Sequence, residues 1–201
     1  MDVSQTQVSA RDRSRIATRE RLIASARELF ALRGLHRVTS HDIARGAGVA
    51  AGTFYLHFSD KETIFREIAY DGMDRLRARL AQARGSAQSV RSAVEAHAEA
   101  LVGFAEAESD LVHMLFARDH SAAELESEIM DYAATVLTEN LVERRALGIF
   151  RSDLDPAVTA QALTGVFSRT LSWWIEDRSR ASREEVIQTL VGIQLGGIYT
   201  E

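Results

Sequence analysis

Cysteine is absent from the 201 residues. Disulfides, thiolate metal sites and cysteine nucleophiles are therefore excluded. Proline occurs once, at Pro156, and aromatic residues make up only 7% of the chain. A chain so poor in proline and rich in alanine, leucine, arginine and glutamate reads as mostly helix. No apolar run approaches the ~18 residues a membrane span needs. The first fifteen residues, MDVSQTQVSARDRSR, hold no apolar stretch of the signal-peptide kind. They read as a polar, mobile arm, and the chain as a soluble cytoplasmic protein with no membrane partner. No convincing strand alternation, internal repeat or low-complexity stretch is present.

Charge is spread unevenly. Residues 1–60 carry nine arginines against six carboxylates, and the remainder carries fifteen cations against twenty-three carboxylates, for an overall −5. A basic end that meets a polyanion and an acidic body that does not fit this asymmetry.

Helical signals follow one another along the chain. Thr18–Gly34 places Ile23, Ala26 and Phe30 on one face, with Gly34 as a stop. Thr39 with Asp42 three residues later predicts a capped second helix, and a third short one is expected near Ala50–Phe58. Ser59 with Glu62 predicts a capping box for a long helix running to about Arg84, roughly 37 Å at 1.5 Å per residue. Five more are expected at about Ser89–Ala107, Asp110–Asp119, Ala122–Leu147, Pro156–Glu176 and Arg183–Tyr199. Asp155 caps the fourth of these ahead of Pro156 at N1, and Ser182 with Glu185 caps the fifth. Tyr199–Glu201 are expected to fray.

The stretch GAGVAAGTFYLHF, residues 46–58, raises a choice between a phosphate-cradling loop and a helix-turn-helix. A dinucleotide loop needs a buried strand leading into its glycines. The preceding VTSHDIARGAG is no such strand, the glycine spacing misses the fingerprint by one residue, and no P-loop Lys-Ser/Thr follows. The turn reading is better served. Ala44 is small enough for close helix packing, Gly48 can take positive φ at the turn, and Val49 can plug the corner; Gly46 is expected to loosen the end of the second helix. The third helix then presents Ala50, Ala51, Thr53, Tyr55 and His57 outward and turns Phe54 and Phe58 inward. Small and hydrogen-bonding groups of this kind suit a DNA groove.

Leu22–Phe65 resembles the TetR (tetracycline-repressor-like) family of bacterial regulators. Thr39, Ile43-Ala44, Ala47-Gly48-Val49, Gly52-Thr53-Phe54-Tyr55, His57-Phe58 and Lys61-Glu62 fall at the family's usual spacing. Where the family often carries a polar or basic pair, this chain has Ala50-Ala51, which moves base readout toward Thr53, Arg45 or the amino-terminal arm. The resemblance implies an all-α protein of about nine helices. It divides the chain into an arm (1–15), a helix-turn-helix DNA-binding domain (16–60) and a ligand-binding and dimerisation domain (61–201). It implies a homodimeric repressor that binds a palindromic operator in double-stranded DNA, and a small-molecule effector that releases it. The expected DNA contacts are Thr39, Ser40, Arg45, Ala50, Ala51, Thr53, Tyr55, His57 and Lys61. Lys61, the only lysine, is expected at N2 of the long helix, within reach of a phosphate. Thr39 has two compatible tasks, capping and donating to phosphate. Arg11, Arg13, Arg15 and Arg19 read equally well as a DNA-seeking arm or a solvated tail; His41 reads as surface or contact.

Beyond residue 61, candidates to line a cavity are His97, Phe104, His113, Met114, Phe116, Phe167, Trp173 and Trp174, each of which would also serve as ordinary core. Ala162, Gly165, Gly192 and Gly196 permit close approach of the last two long helices, within one subunit or across a dimer; the resemblance favours the dimer. The histidines lack metal-ligand spacing, and no nucleophile or acid–base pair has a recognisable signature, so no metal, cofactor or catalytic residue is expected. A helical enzyme or carrier and a helical adaptor are the rival classes: the first requires turnover, the second requires neither DNA nor ligand.

Overall fold

The computed structural model describes residues 9–85, 88–116 and 123–198. Nine α-helices occur among them: α1 (Ala10–Arg33), α2 (Ser40–Gly46), α3 (Ala51–Phe54), α4 (Lys61–Gly85), α5 (Val90–Ala107), α6 (Ser109–Phe116), α7 (Ala123–Ala146), α8 (Pro156–Glu176) and α9 (Arg183–Gly197). A single 3-10 turn at Arg178–Arg180 precedes α9. The expectations for residues 1–8, 117–122 and 199–201 lie outside the described residues.

Three predicted caps form as read. Thr39 and Asp42 make a reciprocal capping box, as do Ser182 and Glu185, and Asp155 accepts from the backbone N–H groups of Ala157 and Val158 ahead of Pro156. Two boundaries differ. The first helix begins at Ala10, because Ser9 accepts from the Asp12 N–H and supplies a cap. Arg11, Arg13 and Arg15 therefore ride on a helix and not on an extended arm. Before α4 the cap is Asp60, whose Oδ1 takes the Thr63 N–H at 2.7 Å, so Lys61 stands at N1 rather than N2. Ser59 bonds sideways to Thr63 Oγ1 at 2.8 Å.

The corner between α2 and α3 closes by a Schellman motif: Val49 N–H donates to Ala44 O at 3.0 Å and Gly48 N–H to Arg45 O at 3.1 Å. That motif needs a left-handed residue, and Gly48 has φ 67°. Gly46 does the opposite of loosening its helix. A Cβ there would lie 2.3 Å from Ser25 Oγ, the atom that donates to Ile43 O at 3.0 Å and ties α2 to α1. At Gly48 a Cβ would meet nothing within 4 Å, so the penalty for a side chain is backbone strain alone. Gly48→Val is expected to cost roughly 1–2 kcal/mol in a urea melt and to reduce DNA affinity by mis-aiming α3.

Two apolar cores hold the molecule. The first joins Phe30, Ile43, Phe54, Phe58, Ile64 and Phe65 and continues without a break into Leu111, Met114, Leu115, Leu125 and Ile129 of α6 and α7. Phe30 and Phe65 meet edge to face at 5.6 Å. The second gathers α5, α8 and α9 around Ala98, Val102, Leu163, Trp174 and Leu190. No helix among the described residues is long and apolar enough to cross a membrane.

Candidate functional site

At the amino-terminal end, α3 is four residues long and has no side-chain cap. Around it the backbone mixes i→i+3 bonds, Thr53 N–H to Ala50 O, Leu56 N–H to Thr53 O and His57 N–H to Phe54 O, with one i→i+4 bond, Phe58 N–H to Phe54 O, and the regular helix ends short of the predicted Phe58. What fixes so short an element is Phe54, which is fully buried. Its neighbours Tyr55 and Leu56 are 63% and 73% exposed. Ala50 is exposed, whereas Ala51, Thr53 and His57 are half-buried.

Four of the expected DNA contacts converge. Thr39, Ser40, Tyr55 and Lys61 line one open groove of about 310 Å³, together with Ser59, Asp60 and Glu62. Two of them are already engaged within the chain. Thr39 Oγ1 donates its proton to Asp42 Oδ2 at 2.6 Å, so the hydroxyl proton expected to reach a phosphate is spent on the cap. Lys61 Nζ donates to Leu35 O at 2.8 Å and Val38 O at 3.1 Å, clamping the turn between α1 and α2. An ammonium carries three donors, and these bonds use two. Arg45 is largely exposed and pairs with Asp42. Asp42 is held below the usual carboxylate range, first by its bonds to Thr39; Asp60 is lowered by Thr63 in the same manner. Arg19 stacks over Phe58 at 5.0 Å and pairs with Glu67. Burial, then the charges of Arg15 and Arg19, push the His57 imidazole down. The amino-terminal half of α1 thus lies beside the turn after α3.

The second feature is an interior cavity of about 170 Å³ between α4, α5, α6, α7 and α8. Of the eight candidates, His97, Phe104, Phe116 and Phe167 line it. The other four do not, and each has a local reason. Met114 is buried in the first core. His113 Nδ1 lies 2.6 Å from Ser109 O, turned along its own helix. Trp174 Nε1 donates to Ala181 O at 2.8 Å, pinning the turn before α9. Trp173 lies beneath the Arg180 guanidinium at 5.5 Å. Wall residues that sequence reasoning missed include Leu76, Leu80 and Arg84 of α4 and Asn140 of α7. The four-residue spacing on α4 was visible, but nothing local distinguishes a stripe facing a cavity from one facing a core.

Residues 22–68 match the family model for bacterial regulatory proteins, tetR family. The chain is 30% identical over 155 residues to the HTH-type transcriptional regulator YdgC of Bacillus subtilis, covering 75% of this chain and 77% of that protein. This protein belongs to the TetR family. Likeness to the HTH-type transcriptional repressor KstR2 of Mycolicibacterium smegmatis runs further, with 30% identity over 198 residues and 90% of each chain. Among solved structures, the regulator FadR from Bacillus subtilis in complex with stearoyl-CoA shares the fold at a TM-score of 0.73 and 20% identity, over 89% of this chain and 98% of that one.

As a TetR-family regulator, the chain has a further surface to account for. Ala162 and Gly165 of α8 and Gly192 and Gly196 of α9 are all exposed. A Cβ on any of the three glycines would meet nothing within 4 Å. They therefore do not serve helix packing inside one chain. Val158 and Ile193 lie on the same two helices, 69% and 43% exposed.

Proposed function

We propose that this regulator is a ligand-responsive repressor that binds a palindromic operator as a homodimer. The observation that carries the reading is α3: a four-residue helix anchored by one buried phenylalanine and projecting Tyr55 beside the groove of Thr39, Ser40 and Lys61. Tyr55 donates its hydroxyl to a backbone phosphate, and the third Lys61 donor reaches another. Thr53, Arg45, Ala50, Ala51 and His57 meet the groove edges, with Ser40 and the Thr39 turn against the backbone. Two copies joined through the exposed faces of α8 and α9 set two such helices one DNA turn or more apart. The small residues there let the helices approach closely, and Val158 and Ile193 add apolar area.

The effector occupies the interior cavity and favours the arrangement with the wrong spacing between recognition helices. Helix α4 is the lever, because Ile64 and Phe65 sit in the first core while Leu76 and Leu80 line the cavity. An effector with ~100-fold preference for one state supplies about 2.7 kcal/mol of coupling.

Fluorescence anisotropy on labelled DNA from the chain's own promoter tests the DNA reading, and sedimentation tests the dimer. Retention that is insensitive to salt, or absent, would defeat it. Tyr55→Phe is the cleanest probe, because it deletes one exposed hydroxyl without touching the core. It is expected to leave the melting temperature unchanged and to weaken DNA binding about equally at every salt concentration, because a neutral hydroxyl releases no counterion. Lys61→Ala, which removes a cation, is expected to lower the salt slope by about one phosphate contact, and the melting temperature with it, since two turn carbonyls lose their donor.

A further inference from the structure

The face of α1 that enters the first core does not stop where the core stops. Leu22, Ala26 and Phe30 are fully buried on that face. Toward the start of the helix the same face holds Arg19, Arg15 and Arg11, and all six residues fall within an arc of about 100° at 3.6 residues per turn. Arg13 stands on the opposite side. Ser9 caps the helix well ahead of the core. About 18 Å of helix, at 1.5 Å per residue, therefore precede Leu22, the first buried side chain.

Of the three arginines, Arg19 alone is engaged. Its guanidinium lies 5.0 Å from the centre of the Phe58 ring and pairs with Glu67. Residues 11–17 are all exposed. Arg11 and Arg15 make no hydrogen bond or ion pair with any described residue. Between Ser9 and Arg19 the one carboxylate is Asp12, and it is taken up by the Ser9 hydroxyl at 2.7 Å. The strip is thus cationic, and it lies next to the proposed reading element. Phe58, on which Arg19 rests, packs against Phe54 of α3 at 5.8 Å. A helix is stabilised mainly by a face that packs, and among the described residues nothing covers this one. Its charge suits a polyanion.

We propose that the leading turns of α1 form a second contact with DNA, in which Arg11 and Arg15 pair with backbone phosphates on the flank of the duplex beside His57 and Phe58. The inference rests on the DNA reading given above, and adds a strip separate from α3 and from the groove of Thr39, Ser40 and Lys61. Phosphates carry no sequence information. The strip therefore adds affinity and leaves the choice of operator to α3. The helix holds the two arginines about 6 Å apart along its axis. Less backbone freedom is lost when they engage than if an extended arm had first to be ordered.

Anisotropy titrations of the full chain over a range of salt, on promoter DNA and on an unrelated duplex, test it. The double variant Arg11→Gln, Arg15→Gln removes both charges and keeps a helix propensity close to that of arginine. Its melting temperature is expected to match the native one. Its slope of log affinity against log salt is expected to fall by about 1.8 for each chain bound, at about 0.9 per phosphate. Binding to the two duplexes is expected to weaken by the same factor. Arg13→Gln removes a charge from the opposite side and is expected to leave the slope as it is. A native slope in the double variant overturns the contact and leaves the DNA reading standing. A loss in Arg13→Gln half as large as that in the double variant marks an effect of net charge and overturns the assigned face. A changed ratio between the two duplexes overturns the phosphate assignment. A native chain that shows no salt-dependent binding overturns both readings.

Discussion

Phe54→Ala is expected to cost about 3–5 kcal/mol of stability, the range for emptying a fully buried aromatic site, and to abolish operator binding well before the protein unfolds. The reason lies in the length of α3. Four residues cannot sustain a helix, since nucleation consumes more conformational entropy than so few bonds return. This one also lacks a side-chain cap. Its geometry is enforced by Phe54, buried against Phe58 at 5.8 Å and Tyr55 at 5.3 Å. Without the ring, Tyr55 keeps its hydroxyl but loses its direction. Urea melts report the first effect and anisotropy on promoter DNA the second. A variant that loses stability by this amount yet binds DNA normally would show that α3 is not the element that meets the duplex.

Arg27→Met is expected to cost about 2 kcal/mol at neutral pH and to change the acid side of the stability curve. Arg27 reaches from α1 to Glu108 and Asp110 at the start of α6, with its Nη2 2.7 Å from Asp110 Oδ1. Arg75 adds a second guanidinium 3.3 Å from Glu108. Removing Arg27 takes its guanidinium from Asp110, which is 43% exposed, and leaves Glu108, only 20% exposed, with Arg75 alone. Breaking a fully buried pair costs more, and this partial exposure reduces the figure. Burial raises the Asp110 carboxyl, but the hydrogen bond and charge of Arg27 outweigh it, and the folded value lies below the ordinary 3.8. A lowered carboxyl stabilises the fold above its unfolded pKa and ceases to do so as pH falls through the folded one. The native chain should therefore hold its Asp110 contribution down to about pH 4 and lose it below. In Arg27→Met the upward push of burial is opposed only by the backbone N–H groups of Asp110 and Leu111, so the decline should begin at higher pH. Urea midpoints measured from pH 7 to 3 on both proteins check this, and parallel curves would refute it.

Features set by neighbours in sequence were legible. The boxes at Thr39–Asp42 and Ser182–Glu185 and the Asp155–Pro156 start need only the backbone within three residues. The α2–α3 corner was readable for the same reason, because a left-handed residue after a short helix calls for glycine. Where two local solutions compete, the reading slipped: Ser59 and Asp60 are both good caps, and Asp60 won because it reaches the Thr63 amide. Ser9 was overlooked because no apolar periodicity follows it to announce a helix. Readings that needed distant partners fared worse. Gly46 looked like a helix loosener, since Ser25 lies far back in the chain. Trp173 and Trp174 looked like cavity walls, but one answers to Arg180 and the other to Ala181. The clamp of Lys61 on Leu35 and Val38 joins residues more than twenty positions apart, which no local pattern announces.

The first core does not respect the boundary between reader and sensor. Leu111 and Leu115 sit in the same apolar cluster as Phe54 while also forming part of the cavity wall. A fragment cut after α3 would leave Phe30 and Phe54 without the α4 and α6 side chains that shelter them. The amino-terminal end is thus not a cassette that can be detached and grafted elsewhere: it borrows its solidity from helices that also wall the cavity.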